Sequence, residues 1–348
     1  LGDSLMATPA VARAREIFPK ARLTVLCRPA FAPFWKSFPG VDSVFILDSK
    51  GRHAGLFGFF RAARELAAEK FDLGVTLPLS FSSAFLFFAS HIPIRIGYAS
   101  EGRSPFLTRA IPLSAARKSH LTAEYIRLVE KAFDARPSSA PRALLAPQKT
   151  GQKEAAALLK RHHLSGEGLI ALGPGATFGP AKHWPLPYWR QVMEKILETR
   201  PESLLILGGR EEAAYLKPLL DHFEKSPWAK RVHLMAGETS VTGLVSLLAR
   251  CKILITNDTG PMHAAAAAGT PTVALFGSTS PAWTRPFGLG HEVIYHHEEC
   301  SPCFQKTCPI GYRCLHHIKT GEVLRAAEKL LNRKTRVRPE PLSVEGAA

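Results

Sequence analysis

The stretch Ile253 to Gly277, ILITNDTGPMHAAAAAGTPTVALFG, constrains the chain more than any other. An apolar run from Ile253 to Thr256 reads as a strand, and Asn257, Asp258, Thr259 and Gly260 read as a polar turn. The alanine run is a short helix stopped by Gly269, and Thr272 to Phe276 form a second strand, so the whole is one βαβ unit. Asp258 or Thr259 is placed to cap the helix, and Pro261 suits its first turn. A helix that begins at the carboxyl end of a parallel strand aims unpaired N–H groups into the crevice where open α/β sheets bind ligands. An anion such as a nucleotide diphosphate fits there. A tightly packed crossover helix would show the same alanines; the crowding of Asn257, Asp258, Thr259 and His263 between apolar strands is what points to a site.

A chain of 348 residues has room for two cores, and 46% hydrophobic with 21% charged residues is ordinary globular composition. The formal charge of +16 calls for an anionic partner: nucleic acid, a phosphorylated glycan or a membrane surface. No run of five Lys or Arg and no nucleic-acid signature occurs, which sets nucleic acid aside. Leu73 to Ile94 is long and apolar, but Pro78, Ser80, Ser82, Ser83, Ser90, His91 and Pro93 interrupt it. It reads as strand, turn and buried helix, not as a membrane span.

Along the rest of the chain strands and helices alternate. Strands fit Arg22–Cys27, Val44–Leu47, Asp72–Leu77 and Ile94–Tyr98; helices fit Pro29–Ser37, Leu56–Lys70, Ser80–Ser90 and His120–Phe133. Asp134 to Pro147, rich in Pro, Ala and Ser, reads as a linker. The rhythm then resumes with helix Gly151–His162, strand Leu169–Leu172, helix Pro187–Arg200, strand Ser203–Leu207, helix Glu211–Phe223, strand Val232–Met235 and helix Val241–Arg250. A last helix covers Thr320 to Leu331. The expected division is a domain over 1–147, a second over 148–331 and a disordered tail over 332–348, both domains being doubly wound α/β folds that face each other across a cleft. Leu1 opens on a glycine turn, so the strand that such a turn follows is expected to precede Leu1, and no signal-peptide pattern is present.

Several residues could carry chemistry. Asp3 is either a helix N-cap or a cleft-facing general base. The loop Gly173 to Pro185, GPGATFGPAKHWP, has glycines that allow close backbone approach, and Thr177 and Lys182 can supply a hydroxyl and a charge to phosphate; it matches neither the Walker nor the dinucleotide fingerprint, and taken alone it reads as a structural turn. Glu211 or Glu212, after Gly208-Gly209, suits ribose hydroxyls, although a first-turn Glu is also favoured by the helix dipole alone. Arg95, Arg103, Arg109, Arg117, Lys118 and His120 form a basic run that either faces solvent or holds an anionic acceptor. Cys300, Cys303, Cys308 and Cys314, with His316 and His317 beside them, have spacing that permits structural zinc or a small iron–sulfur cluster; a loop of reduced thiols is the simpler expectation.

LGDSLMATP at Leu1, GPGATFGPAKHWP at Gly173 and NDTGPMH at Asn257 together resemble the ADP-heptose:lipopolysaccharide heptosyltransferases, glycosyltransferase family 9. FGPAK at Phe178 and CSPCFQKTCP at Cys300 look most like the heptosyltransferase II branch, and the resemblance runs from Leu1 to about Leu331. It implies a GT-B fold and inverting, metal-independent transfer from ADP-heptose to a heptosyl-Kdo-lipid A core, in the cytoplasm at the inner face of the inner membrane. ADP-heptose is then a substrate and no cofactor is needed. By position, the resemblance makes Asp3 the base and Thr177 and Lys182 the diphosphate contacts, one of Glu211 and Glu212 the ribose contact, and Asp258, Thr259 and Gly260 the donor-binding turn. His263 joins the donor site, and Arg95, Arg103, Arg109 and His120 are the acceptor candidates. The rivals are a sibling heptosyltransferase with another acceptor, a non-catalytic nucleotide binder and a zinc-dependent module.

Overall fold

A computed structural model describes residues 1–113, 119–137 and 148–333. These fall into two compact units, one of residues 6–137 and one of residues 148–333 together with Leu1–Leu5. Arg117, Lys118, the linker expected from Asp134 to Pro147 beyond residue 137, and the expected tail beyond residue 333 lie outside the described residues.

The first unit contains most of α1 (Gly2–Ile17), then β1 (Thr24–Cys27), α2 (Ala32–Lys36), β2 (Ser43–Ile46), α3 (Gly55–Ala68), β3 (Leu73–Thr76), α4 (Phe81–Ala89), β4 (Ile94–Ala99), β5 (Arg109–Pro112) and α5 (Leu121–Ala132). β1 pairs with β2 in parallel, while β3, β4 and β5 form a separate parallel sheet. The apolar stretch from Leu73 resolves into β3, a turn and α4, as its prolines and serines predict, but α4 is not the buried helix expected: Ala84 and Leu86 are buried, while Phe81 and Phe88 stand in solvent. Among the described residues no helix is long and apolar enough to cross a membrane.

The second unit runs α6 (Lys149–Arg161), β6 (Leu169–Gly173), α7 (Leu186–Thr199), β7 (Ser203–Ile206), α8 (Ala213–Phe223), β8 (Val232–Leu234), α9 (Val241–Leu248), β9 (Ile253–Asn257), α10 (Gly260–Ala268), β10 (Thr272–Phe276), α11 (Pro281–Thr284), β11 (Glu292–Tyr295), α12 (Arg313–His316) and α13 (Thr320–Leu331). Its six strands pair in parallel in the order β11-β10-β9-β6-β7-β8. Every residue of β6, β9 and β10 is buried, because helices cover both faces of the sheet. Each buried Leu or Ile in these strands contributes about 1.5–3 kcal/mol. The chain builds outward from β6 through β7 to β8, returns to β9 on the other side of β6, and builds outward again. β6 and β9 therefore flank a topological switch point, where the two carboxyl ends diverge and leave a crevice.

Two strands escape the periodicity. β5 and β11 are edge strands with mostly unburied residues, so no apolar run marks them. The helix expected from Glu211 starts as a 3-10 turn over Arg210–Glu212 before α8 proper.

Candidate functional site

The switch point brings the turn after β6 against the turn after β9. Asn257, fully buried, clamps the 174–184 loop at both ends: its Nδ2 donates to the Pro174 carbonyl at 2.5 Å and its Oδ1 accepts from Trp184 N at 3.3 Å. Trp184 is itself buried and donates through Nε1 to the Ile318 carbonyl at 3.1 Å. Within the loop, Gly179 has φ +145°, and a Cβ there would lie 2.6 Å from the Lys306 carbonyl, so only glycine fits. The same carbonyl accepts from Ala181 N at 3.0 Å, and the two contacts fix where Lys182 starts.

Lys182 Nζ then reaches Asp258 Oδ2 at 2.5 Å, linking the ends of β6 and β9. Asp258 is 3% exposed, and its Oδ2 also accepts from Thr279 Oγ1 at 2.6 Å, with Thr284 Oγ1 at 3.5 Å. A carboxylate this buried is tolerated because cation and hydroxyl both meet it. An ammonium has three N–H groups, so the pair leaves donors on Lys182 for a second anion. The Phe178 ring lies 4.9 Å from Nζ and supports the cation from another side.

Asp258 is thus not the helix cap. Thr259 occupies the N-cap position of α10 and makes no side-chain cap bond, Pro261 lies in the first turn, and Gly269 closes the helix in the left-handed conformation at φ +75°. The first amides of α10, at the positive end of its dipole, are left to an anion. A Cβ on Gly260 would come within 2.8 Å of the Leu1 side chain, and one on Gly2 within 2.7 Å of His263 Cδ2. The start of α1 therefore lies on the first turns of α10 and covers His263, which is buried. Asp3 sits exposed in the first turn of α1 rather than at its cap.

Glu211 is exposed, whereas Glu212 is half-buried and its Oε2 accepts from Gly209 N at 2.6 Å. Its other oxygen, Oε1, is buried and meets no hydrogen-bond partner among the described residues; a Cβ on Gly175 would lie 2.5 Å from it. Burial raises the Glu212 pKa above the usual carboxylate value, the Gly209 amide pulls it back, and Glu211 adds repulsion. Thr177 is exposed on the loop beside these groups. Thr279 and Thr284 were not expected in the site. The signal for Thr279 was the polar run Gly277-Ser-Thr-Ser directly after β10, the same polar-after-apolar pattern that marks the end of β9; Thr284, in α11, had none.

The basic run of the first unit requires correction. Arg103 is fully buried: Nε donates to the Tyr98 carbonyl at 2.8 Å, and Nη1 bonds the carbonyls of Pro78 and Ser80 and the Ser83 hydroxyl. A guanidinium enclosed by its own loops presents no charge to an acceptor. Arg95 is turned onto the Phe106 and Ile92 carbonyls and over the Phe88 ring at 5.5 Å. His120 is buried and caps α5, its Nδ1 accepting from Thr122 N at 3.2 Å. Arg109 is exposed and bonds Asp134 at 2.7 Å and the Ala132 carbonyl at 2.9 Å.

The cysteine spacing permits zinc, and among the described residues no group of three or more His, Cys, Asp or Glu is placed to hold a metal ion. Cys300 is exposed, Cys303 and Cys308 are half-buried, and burial pushes the Cys314 thiol up. The loop instead braces the sheet end. Ser301 Oγ donates to the Gly277 carbonyl at 2.6 Å, Phe304 N to the Ser278 carbonyl at 2.7 Å, and Lys306 anchors the lysine loop as above.

A 3-2-1-4-5-6 parallel sheet with a lysine, hydroxyls and an uncapped helix start at its switch point defines an open doubly wound α/β fold. The family model for glycosyltransferase family 9 (heptosyltransferase) matches residues 59–313, and the chain belongs to that family of glycosyltransferases. It is 29% identical over 298 residues, 84% of this chain and 85% of the relative, to lipopolysaccharide heptosyltransferase 2 of Salmonella typhimurium. Lipooligosaccharide heptosyltransferase 2 of Campylobacter jejuni is 28% identical with 95% of each chain covered. The solved family 9 glycosyltransferase of Veillonella parvula superposes with a TM-score of 0.82 at 25% identity, covering 95% of this chain and 94% of its own. The fold class is the GT-B type of the heptosyltransferases.

Proposed function

We propose that the chain transfers L-glycero-D-manno-heptose from ADP-heptose to the first heptose of a heptosyl-Kdo2-lipid A core, inverting the anomeric carbon and using no metal ion. The observation that carries this reading is the Lys182–Asp258 contact across the switch point, 2.5 Å long and beside the uncapped start of α10. It supports a diphosphate site in which a held cation, the Thr177 hydroxyl and the amides at Thr259 and Gly260 offset the charge that grows on departing ADP. The acceptor hydroxyl oxygen bonds to C1 as the bond from C1 to the diphosphate oxygen breaks. ADP leaves with that electron pair, and Asp3 takes the hydroxyl proton. Glu212, with one carboxyl oxygen lacking a partner among the described residues, is favoured over the exposed Glu211 as the ribose contact.

For the acceptor, Arg109 is the cation retained among the described residues of its group, since its exposed pair with Asp134 is weak enough to yield to a phosphate or Kdo carboxylate. The charge of +16 suits work at the inner face of a membrane whose lipid A substrate is itself anionic. The relatives named heptosyltransferase 2 support this acceptor over those of the sibling enzymes.

Purified protein given ADP-heptose and defined truncated cores is expected to modify the core that already carries one heptose and to leave the bare Kdo core untouched. The opposite preference overturns the acceptor assignment. Asp3→Ala is expected to abolish transfer while ADP-heptose still binds; full activity in that variant would reduce Asp3 to a first-turn charge.

A further inference from the structure

The first unit carries an apolar surface that none of the chemistry above uses. On the first two turns of α3, Leu56 is 69%, Phe57 90% and Phe60 50% exposed, and on α4 Phe81 and Phe88 are 44% and 45% exposed. Exposure of several large apolar side chains in a group marks an interaction surface, where a scattered single residue would not. Phe60, Phe81 and Phe88 are held by ring contacts. Phe59 meets Phe60 at 5.6 Å and stacks on Phe85 at 5.4 Å, and Phe106 packs 5.2 Å from each of Phe81, Phe85 and Phe88. The two helices therefore present a braced aromatic platform, with Phe57 standing out beside it as its most exposed ring.

Cations frame it. Between Asp48 and Glu65 the chain holds Lys50, Arg52, Arg61 and Arg64 and no acidic residue. Arg61 follows Phe57, and Arg64 follows Phe60, by one helical turn, so each guanidinium stands one turn behind an exposed ring on the same helix face. The acids nearby are engaged: Glu65 pairs with Arg52 and with His53, Asp48 holds the amides of Gly51 and Arg52, and Glu101 accepts from Phe81 N. Arg61 and Arg64 are exposed and have no ion pair among the described residues.

We infer that this face docks on an anionic bilayer, Leu56, Phe57 and Phe60 entering the boundary between headgroups and acyl chains while Arg61 and Arg64 bind lipid phosphates. Apolar rings with cations one turn behind them match the depth profile of such a surface, where long basic side chains reach back to the headgroups. A second copy of the chain fits less well, because a two-fold contact of the patch with itself would set Arg61 and Arg64 against their own images. The inference rests on the proposal that the acceptor is anchored in a membrane, and it names the surface that delivers the enzyme there.

The test is co-sedimentation of the full chain with vesicles of phosphatidylglycerol and phosphatidylethanolamine, against vesicles of phosphatidylcholine. The chain is expected to bind the anionic vesicles, less so at high salt. Phe57→Asp should lower that binding by more than about tenfold. Arg64→Gln should lower it about fivefold on anionic vesicles only. Both variants should keep the wild-type melting temperature and the wild-type rate on a deacylated, water-soluble core. Wild-type vesicle affinity in Phe57→Asp, no anionic-vesicle binding by the parent chain, or a dimer that Phe57→Asp converts to monomer would each overturn the inference. If vesicle binding follows the pattern but no core is ever modified, the docking surface stands and the proposed reaction falls.

Discussion

Two clusters of charge in this chain look alike as residue lists and behave differently in the fold. At the switch point Lys182 bonds another side chain, Asp258, across two strand ends, and keeps N–H groups to spare. In the first unit Arg103 gives Nε and Nη1 to the carbonyls of Tyr98, Pro78 and Ser80, leaves Nη2 without a partner among the described residues, and is closed off from solvent. The first arrangement holds a charge at a crevice, and the second closes one inside the loops it braces, where even its unpartnered Nη2 meets no solvent. What separates them is the partner: a carboxylate on a neighbouring strand end leaves the cation facing a crevice, while backbone carbonyls surround it.

The contrast makes its largest prediction at Arg103. Arg103→Met keeps much of the aliphatic volume but leaves buried carbonyls unpaired, and should cost about 3–5 kcal/mol of stability in denaturant unfolding. An unchanged unfolding midpoint would mean that the guanidinium is not structural. Lys182→Ala should raise the transfer barrier by about 3 kcal/mol, read as a fall of roughly a hundredfold in kcat. A loss confined to KM would show that Lys182 only grips the ground state. Asn257→Ala frees both ends of the lysine loop and should cost about 2 kcal/mol of stability; transfer should fall as well because Lys182 loses its footing. Stability lost with kcat intact would uncouple the loop from the site.

The smallest effect is at Glu212 and is a matter of pH. Its folded pKa is raised by burial, so the folded chain holds the proton more tightly than the unfolded chain does. Stability therefore rises as pH falls through the window between the folded and unfolded values, and the cost of the buried charge is fully present above it. Glu212→Gln should melt slightly higher than the parent at neutral pH and lose that acid-side dependence, while donor KM rises and no longer varies across the window. A variant that retains the parent's pH profile would assign the effect to another group.

Much of the second unit was legible from sequence. The apolar runs of β6, β9 and β10, the glycine stop of α10 and the polar turn at Asn257 to Gly260 are local signals, and local backbone preferences and burial reproduce them. β5 and β11 were missed because an edge strand needs no continuous apolar run. The roles of Asp258, Thr279 and Arg103 were not readable either. Asp258 read as a cap candidate or, by resemblance, as part of the donor turn, and Arg103 as a solvent-facing or acceptor-binding cation, since nothing within a few residues of either reveals a partner 76 or 25 positions away.

By itself the sequence determined where strands end and polar turns begin, because alternation of apolar runs with Gly, Pro and Asn is set by short-range sterics and by the exclusion of water. Only the tertiary structure decided which turn meets which. The order of strands put β6 beside β9, and that single adjacency turned a lysine and an aspartate 76 residues apart into a pair 2.5 Å apart. The same packing enclosed one arginine and left Phe57 standing in solvent, outcomes that depend on long-range neighbours and that no window of sequence contains.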